Sequence, residues 1–492
     1  MPAASAVEPE PRAVPVRGPS RTRADDWPSA RGLRSRESRA RHGKAARSVA
    51  PRASHGVWEP VRERQDPVRV LMEQAGSRLP DLVPVRNGRM SASPFAFYRG
   101  SAAIMAADLA STPVSGIDVQ LCGDAHLSNF GGYASLDRQL IFGLCDFDET
   151  LPGPWEWDVK RLVTSLEIAG RDRGLDDPER HAVVRAAASA YREAMREFAA
   201  LDNLQVWYSR MTAQDIRDRW GSEVGKKDRR RFDRQIERAV TKDSAKASSK
   251  LTKLVNGRTQ MISKPPLIVP LSDLLDDERI PIEGIVTAGL QGYRRSLSGA
   301  RRHLLEQFHY VDAARKVVGV GSVGTRAWVV LMRGTDNDES LILQLKEAGQ
   351  SVLAPYAGRS RFNNQGQRVV VGQQLLQASS DTFLGWNRMP SLDGASRDFY
   401  IRQLWDWKLS ADVEKQSRAT MAIYGQMCGW TLARAHARSG DRIAIAAYLG
   451  LGDVFDVAMV EFAEAYADQN EEDYARWLDA IRAEEVAVTL DL

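Results

Sequence analysis

The sequence predicts an α+β protein built as two lobes, with a helical lobe first and a sheet lobe second. Two observations predict this arrangement. An Asp–Asn pair and an acidic patch lie within residues 124–149, and a G-x-G-x-x-G loop between strand patterns lies at 319–324. The predicted parts are a disordered basic tail over 1–55, a helical catalytic lobe over 56–311, a glycine-loop lobe of antiparallel sheet and helix over 312–410, and helices over 411–492 that return to the first lobe.

Length and composition place the chain among ordinary globular proteins. Its 492 residues suffice for two or three domains, and 43% hydrophobic with 27% charged residues is a usual composition. No apolar run approaches the ~20 residues that span a bilayer, and the amino-terminal residues lack the apolar core of a signal peptide. Cys122, Cys145 and Cys428 indicate neither a disulfide framework nor a zinc site. We therefore expect a cytoplasmic protein without a membrane partner.

The amino-terminal tail differs in charge from the rest of the chain. Residues 1–55 hold 12 Lys or Arg against 5 Asp or Glu, a charge of +7, so the remainder carries 4 − 7 = −3. Because the tail is rich in Pro, Ala, Ser and Arg, it can bury little apolar surface, and disorder is expected. A nucleic-acid partner is not expected beyond weak contact through this tail, whose simpler role is to aid solubility.

An acidic constellation follows the first strand pattern. Asn129 lies five residues after Asp124, and Asp146 opens the patch DFDE. Between them, residues 130–133 and 139–145 have strand character and flank the turn ASLDR. The resulting hairpin is expected to carry Asp146 back beside Asp124 and Asn129.

The residue types in this constellation suit phosphoryl transfer. Magnesium takes oxygen ligands and often needs only one or two carboxylates besides phosphates, so Asn129, Asp146 and Asp148 are the predicted metal ligands. Another carboxylate must orient the attacking hydroxyl and accept its proton, and Asp124 fits that role. The alternative is that Asp124 and Asn129 only cap a turn.

Helical patterns follow the acidic patch. Apolar residues recur at helical spacing over 159–166 and again over 184–198, which predicts core helices beneath the site. The basic stretch 225–264 mixes acids with bases and is typical of a solvated helix face, with a grip on a polyanionic substrate as the alternative. Another helical stretch runs over 282–310.

The glycine loop consists of Gly319, Gly321, Ser322 and Gly324. The pattern alone serves both dinucleotide folds and kinases, so its surroundings decide. The segment AWVVLM after the loop is a strand pattern rather than a helix, RGTDNDES is a turn, and LILQLKEA is a further strand that carries Lys346. Strand, glycine loop, strand, turn, strand is the kinase arrangement, in which this lysine reaches the α- and β-phosphates of ATP. The alternative for Lys346 is a surface charge on an edge strand.

The order of these parts is unusual for a kinase. QRVVVGQQLLQ predicts a helix, TFLGW and DFYIRQLWDWK predict strands, and a long helix pattern ends near His436, which is interpreted as a structural histidine. A kinase has its glycine-loop lobe before the catalytic loop, whereas this chain has Asp124 first. We infer a circularly permuted kinase-like fold with extra helices, because compact domains tolerate such rewiring when their termini lie close together.

Several segments resemble a known bacterial family. The motifs SPFAFYRG, GDAHLSNFG, DFDETLPGPWEWDVKRL, VGVGSVGTR, LQLKEA and LARAHARSGD resemble the domain-of-unknown-function family 2252, from about His55 to the carboxyl end. The central motif is also similar to the H-G-D-x-H-x-x-N loop and D-F-D metal site of aminoglycoside phosphotransferases. That resemblance implies Asp124 as base, Asn129 and Asp146 as metal ligands, and Asp158 as a buried acid that braces the loop.

The chain departs from the kinase pattern in two places. Cys122 stands where those kinases have histidine, and the helix after Lys346 offers Gln373 and Gln374 but no carboxylate to pair with the lysine. Glu347 is adjacent to Lys346 and is expected on the opposite face of the strand. Nucleotide binding is therefore better supported than catalysis.

The predicted function is an ATP- and Mg²⁺-dependent phosphotransferase that acts on a hydroxyl-bearing small molecule or protein. One alternative is a nucleotide-binding pseudokinase or regulatory scaffold without turnover. A second is nucleotidyl transfer by the same residues with ATP bound in reverse. A metal-dependent hydrolase is disfavoured because no histidine cluster accompanies the carboxylates. The sequence leaves the acceptor open.

Overall fold

The computed structural model describes residues 35–223, 225–241, 244–274, 282–317, 319–335, 339–391, 393–404 and 407–490. Residues from 36 onward form one unit with mixed α and β structure, as the sequence predicts. The helices are α1 Arg36–Ala46, α2 Pro67–Ala75, α3 Val83–Met90, α4 Pro94–Gly100, α5 Ala102–Leu109, α6 Trp155–Asp172, α7 Asp177–Ala200, α8 Asn203–Tyr208, α9 Ala213–Trp220, α10 Lys226–Val240, α11 Ser244–Leu251, α12 Leu271–Leu274, α13 Ile282–Ser296, α14 Gly299–Leu305, α15 Ala354–Ala357, α16 Gln365–Leu376, α17 Arg418–Ser439, α18 Arg442–Leu449 and α19 Val454–Arg482.

The strands form a six-stranded sheet and smaller sheets. Short 3-10 turns occupy Arg52–Gly56, Pro80–Leu82, Leu127–Asn129 and Val413–Lys415. The strands are β1 Asp118–Leu121, β2 Phe130–Ala134, β3 Leu140–Leu144, β4 Leu151–Pro154, β5 Met211–Thr212, β6 Thr252–Val255, β7 Arg258–Met261, β8 Ile268–Pro270, β9 Phe308–Lys316, β10 Ala327–Gly334, β11 Ser340–Glu347, β12 Gly385–Pro390, β13 Ser396–Gln403 and β14 Leu409–Ser410.

The predicted disorder over 1–55 is wrong for residues 36–55. Helix α1 packs against α18. Basic residues of the segment 36–55 bind the carboxyl end of α18. Arg47 donates from Nε to the carbonyl of Tyr448 at 2.8 Å, and Arg52 donates from Nη1 to that of Leu449 at 2.6 Å. The last carbonyls of a helix lack intrahelical partners, so the arginines satisfy them. Residues 1–34 of the predicted tail lie outside the described residues.

Long helices form the main core on the side of the acidic site. Helices α6, α7, α17 and α19 bury apolar faces against one another, as the helical patterns over 159–166 and 184–198 predict. The α7–α17 contact depends on Gly429, because a Cβ there would overlap the backbone carbonyl of Ala187. The helix pair can therefore approach closely enough to exclude water.

The predicted acidic hairpin is confirmed. Strands β2 and β3 pair antiparallel with Phe130 opposite Leu144. Strand β14, which follows the larger sheet in the chain, pairs with the other edge of β2. Strand β1 precedes the hairpin and β4 follows it, and these two strands pair with each other.

The six-stranded antiparallel sheet has the order β12-β13-β11-β10-β9-β8. Its strands include the predicted strand patterns on both sides of the glycine loop and after the α16 helix. The predicted boundary at 311–312 is wrong, because it falls within β9 and because β8 pairs with β9. Helix α13 also packs here, with Tyr293 and Leu297 in the same apolar cluster as Val330 and Phe399.

The basic stretch 225–264 contains α10, α11 and the β6–β7 hairpin. Most of the charged residues of α10 are exposed, as expected for a solvated helix face. Among the described residues, no single helix is long and apolar enough to cross a membrane; only α18 and α19 taken together, bent by 86°, meet the length and composition criteria.

Candidate functional site

The loop that carries Asp124 is held in place by a glycine and a buried acid. Gly123 has a φ of +87°, and a Cβ there would overlap the backbone carbonyl of Glu149. Asp158 accepts hydrogen bonds from the backbone N–H groups of Cys122 at 2.8 Å and Gly123 at 3.0 Å. Two fixed N–H groups on one buried carboxylate make the loop rigid.

His436 supports that carboxylate. Its Nε2 lies 3.2 Å from Asp158 Oδ2, and its Nδ1 lies 2.9 Å from the Tyr191 hydroxyl. The imidazole is fully buried. Its position behind the loop agrees with a structural histidine.

The Asp124 carboxylate is oriented by an arginine. Arg161 donates from Nε to Asp124 Oδ1 at 2.9 Å, and the carboxylate remains 20% exposed. Burial raises the pKa of Asp124, although Arg161 opposes this shift. The group can therefore accept a proton more readily than an exposed aspartate could.

His126 faces the other oxygen of Asp124. Its Nε2 lies 3.6 Å from Asp124 Oδ2, and its Nδ1 accepts the backbone N–H of Ser128 at 3.2 Å. Since Nδ1 accepts, Nε2 carries the proton of the neutral ring. Burial, with Arg99 and Arg161 nearby, lowers the pKa of His126 well below its ordinary value, so the ring is neutral.

The hairpin brings Asn129 and Asp146 together. Asn129 donates from Nδ2 to the backbone carbonyl of Asp124 at 2.8 Å and accepts the N–H of Cys145 at its own carbonyl at 2.9 Å. Burial raises the pKa of Asp146, and the adjacent Asp148 raises it further. Asn129 is thus bonded both to Asp124 and to the residue directly before Asp146.

Lys346 joins the sheet to the acidic patch. It lies on the interior strand β11 with a side chain only 4% exposed, so the alternative of an edge-strand surface charge is wrong. Its ammonium pairs with Asp148 Oδ2 and lies 3.8 Å from Asp146 Oδ2. The Tyr400 hydroxyl donates to Asp148 Oδ1 at 2.8 Å. Asp148, predicted as a metal ligand, is thus the acidic partner of the lysine.

The ionisation of this pair follows from its contacts. Burial disfavours the charge on Lys346, but Asp146 and Asp148 outweigh it and raise the pKa of Lys346. Burial likewise acts to raise the pKa of Asp148, but Lys346 and the hydrogen bond from Tyr400 outweigh it, and the pKa is lowered. Both groups are charged at neutral pH.

Helix α16 contacts the acidic patch through an arginine instead of a carboxylate. Gln373 donates to Gln377 Oε1 at 2.9 Å and does not reach the lysine pair. Arg368, 2% exposed, donates to the backbone carbonyls of Asp148 at 2.8 Å and Thr150 at 2.7 Å. The helix therefore positions the patch, and the patch positions Lys346.

Glu347 lies on the opposite face of β11, as predicted. It pairs with Arg326 at 3.2 Å and with Arg397 at 3.3 Å. It is therefore not the partner of Lys346.

The glycine loop is tied to the amino-terminal helices through its carbonyl groups. Arg89 donates to the carbonyl of Gly319 at 2.6 Å, and the Leu79 N–H donates to that of Gly324 at 2.8 Å. The amide N–H groups of Gly321 and Ser322 have no acceptor within the described part of the chain. Those amides are free to bind an anion.

Further cations gather beside the loop and the lysine. Arg402 is half-buried and donates to the carbonyl of Cys145 at 3.2 Å. Lys316, at the end of β9, has no hydrogen-bond or ion-pair partner among the described residues. Burial lowers the pKa of Lys316, and the nearby Lys408 and Arg89 lower it further. Positive side chains therefore lie close to one another at this end of β9.

Sequence reasoning missed Arg161, Arg368, Arg402 and Tyr400. Arg161 and the site acid Asp158 share the segment WEWDVKRL, which was a usable signal. The others occur in helix or strand patterns, where arginine and tyrosine are usually surface residues.

The fold and the site define an α+β protein with a lysine-bearing sheet closed onto an acidic loop. Residues 78–480 match the family described as "Uncharacterized protein conserved in bacteria (DUF2252)", and the chain belongs to that family. No curated protein and no solved structure matches the chain.

Proposed function

We propose that this protein is an ATP- and Mg²⁺-dependent phosphotransferase on a circularly permuted kinase-like fold, with a hydroxyl-bearing acceptor. The observation that carries the proposal is the ion pair of Lys346 with Asp148, 198 residues apart in sequence. It brings the glycine-loop sheet and the Asp124–Asp146 loop to one place. Protein kinases need the same set of parts in one cleft.

The strand connections support the kinase-like arrangement. Strands β9, β10 and β11 are antiparallel, with the glycine loop between β9 and β10. They are followed by α16 and then by β12 and β13, and β13 pairs with β11. Kinases place a lysine on the third strand and a helix directly after it. The next strand, β14, pairs with β2, and β2 is the strand that directly follows the catalytic loop. A permuted chain needs this connection between its two lobes.

The cations support a polyphosphate ligand. Lys316 lies at the end of the strand that leads into the glycine loop, and Lys346 and Arg402 lie on two neighbouring strands of the same sheet. The amides of Gly321 and Ser322 have no acceptor in the described residues. Backbone amides and cations together are the usual means of binding phosphates. ATP is the ligand that matches both the glycine loop and the lysine.

The donor atoms near Asp124 fit magnesium. No group of three or more His, Cys, Asp or Glu side chains in the described residues is arranged as a metal centre by itself. Magnesium, however, commonly takes one or two carboxylates and completes its shell with phosphates and water. Asp146 and Asn129 would hold it, while Asp148 stays with Lys346. When bound, the ion neutralises charge on the β- and γ-phosphates.

The remaining side chains orient the acceptor. Asp124, fixed by Arg161, accepts the proton of the acceptor hydroxyl. The neutral His126 offers its Nε2–H on the opposite side of that carboxylate. Asp158 and Gly123 keep the loop fixed, so the base does not have to reorganise during the reaction.

A scaffold without turnover is the second candidate. The engagement of Asp124 by Arg161 favours it, because the guanidinium already occupies one of the two carboxylate oxygens that would accept the acceptor's proton. Nucleotidyl transfer uses the same residues and stays a separate alternative.

Paired labelling separates these functions. The full chain is incubated with Mg²⁺ and ATP labelled at either the α- or the γ-phosphate, against a panel of metabolites and proteins. Label from the γ-position only, lost in D124A, is the expected result. Label from the α-position indicates nucleotidyl transfer, and ATP binding without either label indicates the scaffold.

A further inference from the structure

Arg99 lies between the glycine loop and Asp124. It belongs to helix α4, and its backbone carbonyl is 3.0 Å from the position that a Cβ on Gly321 would occupy. The neighbouring Tyr98 carbonyl accepts a hydrogen bond from Arg161 Nη2 at 2.7 Å, and the same guanidinium binds Asp124. The backbone of Arg99 therefore lies against the glycine loop and directly after the residue that holds Arg161.

The guanidinium of Arg99 is near enough to Asp124 for their charges to interact. It acts electrostatically on Asp124 and on His126, both in the catalytic loop. Burial lowers the pKa of Arg99, and the carboxylates of Asp124 and Glu414 oppose that shift. The charged group is thus partly removed from water.

Arg99 differs from the other arginines here because it has no partner. In the described part of the chain its side chain makes no hydrogen bond or ion pair, and its Nε is buried. Arg161 pairs with Asp124, and Arg78 donates to the carbonyl of Val323 at 2.6 Å. A half-buried guanidinium whose Nε is buried without a partner is unfavourable, and an anion that binds there would explain its position.

We infer that Arg99 binds an oxyanion between the glycine loop and Asp124. This inference rests on the proposed function, in which that oxyanion is the phosphoryl group in transfer. Phosphates lie beneath the glycine loop and the acceptor hydroxyl lies at the base, so the transferred group lies between them. An acceptor phosphate or carboxylate would lie beyond the base, away from Gly321.

The step balances without a further reactant. The acceptor oxygen forms a bond to the γ-phosphorus while the bond from that phosphorus to the β,γ-bridging oxygen breaks, and the electron pair leaves with ADP. The acceptor proton passes to Asp124. Arg99 remains protonated and donates hydrogen bonds to the equatorial oxygens, whose charge it stabilises.

The test uses the full chain and a mimic of the transferred group. Binding of Mg·ADP is measured by calorimetry with and without aluminium fluoride in wild type, R99Q, R99K and the matched control R69Q, whose arginine is exposed and pairs with Glu73 at 2.8 Å. Aluminium fluoride is expected to tighten ADP binding in wild type and R69Q. R99Q is expected to reduce that gain about 100-fold, with R99K intermediate, while binding of ADP alone changes less than about threefold.

The outcomes distinguish the two proposals. If R99Q keeps the full gain from aluminium fluoride, the inference about Arg99 is overturned and the phosphotransferase proposal stands. If wild type binds no nucleotide, the proposed function fails. Calorimetric titration with inorganic phosphate alone then tests whether Arg99 binds an oxyanion. Phosphate binding that is lost in R99Q supports the oxyanion site, whereas equal or absent binding overturns it. Because Arg99 has no partner to lose, R99Q is expected to unfold at a temperature no lower than wild type, and R99K covers the case in which R99Q does not fold.

Discussion

Replacement of Lys346 by Met tests whether the lysine and the acidic patch form one electrostatic unit. The change removes the buried ammonium and leaves Asp146 and Asp148 facing each other. At the observed 3.8 Å, and with an effective dielectric constant of about 20, the attraction between Lys346 and Asp146 alone is about 4 kcal/mol. Loss of one partner of a buried pair costs about 3–5 kcal/mol. Since Asp148 is 26% exposed, we expect the lower end, about 3 kcal/mol.

The assay is a double-mutant cycle in urea at pH 7. Wild type, K346M, D148N and K346M/D148N are unfolded, and the free energies of unfolding are compared. The double variant is expected to be more stable than the sum of the single losses predicts, with a coupling of about 2 kcal/mol. K253M, which removes an exposed lysine from a strand, is the control and should change stability by less than about 0.5 kcal/mol.

The coupling should depend on pH in one direction. The pKa of Asp148 is lowered in the folded state, so its contribution is fully present above its unfolded pKa of about 3.9 and is lost as pH falls from there through the lower folded pKa. Additivity of the single losses within about 0.5 kcal/mol at pH 7 would refute the ion pair as the link between sheet and acidic loop.

Two further predictions concern the backbone and the buried charges of the helical core. G123A should lower the free energy of unfolding by more than about 2 kcal/mol in a urea titration, because its Cβ overlaps the Glu149 carbonyl. The control G116A is also at positive φ but in open space, and it should cost about 1 kcal/mol. Equal losses in the two variants would contradict the overlap. Glu156 and Lys160 should give a minimum of stability near pH 7. Burial raises the pKa of Glu156 to about 7, so the folded protein loses stability as pH rises from 4.5 to 7. Burial lowers the pKa of Lys160 to about 7, so the folded protein regains stability as pH rises from 7 to 10.5. The minimum should be about 3 kcal/mol deep and absent from E156Q/K160M, and parallel pH profiles of the two proteins would disprove it.

Local patterns predicted much of the fold. The hairpin β2–β3, the strands around the glycine loop and the helices α6, α7 and α17 follow from apolar periodicity and turn residues, because each is decided by neighbours in sequence. Asp158 and His436 behind the Asp124 loop also agree with their predicted structural roles.

The errors come from contacts between distant parts of the chain. Asp148 cannot be assigned to Lys346 from sequence, since the pair is 198 residues apart and the usual position for the acid is on the helix after the lysine. The composition of residues 36–55 predicts disorder, yet Arg47 and Arg52 find helix carbonyls nearly 400 residues later. A boundary at 311–312 failed because β8, before the α13 helix, joins the same sheet as β9.

The central claim is that a nucleotide binds where the glycine loop, Lys346 and the acidic loop meet. The most direct measurement is calorimetric titration of the full chain with ATP, with and without Mg²⁺, in wild type and D124N. The account predicts binding that Mg²⁺ strengthens and that D124N leaves within about threefold, because Asp124 contacts the acceptor and not the nucleotide. No binding of ATP to folded wild type, with or without Mg²⁺, would contradict it.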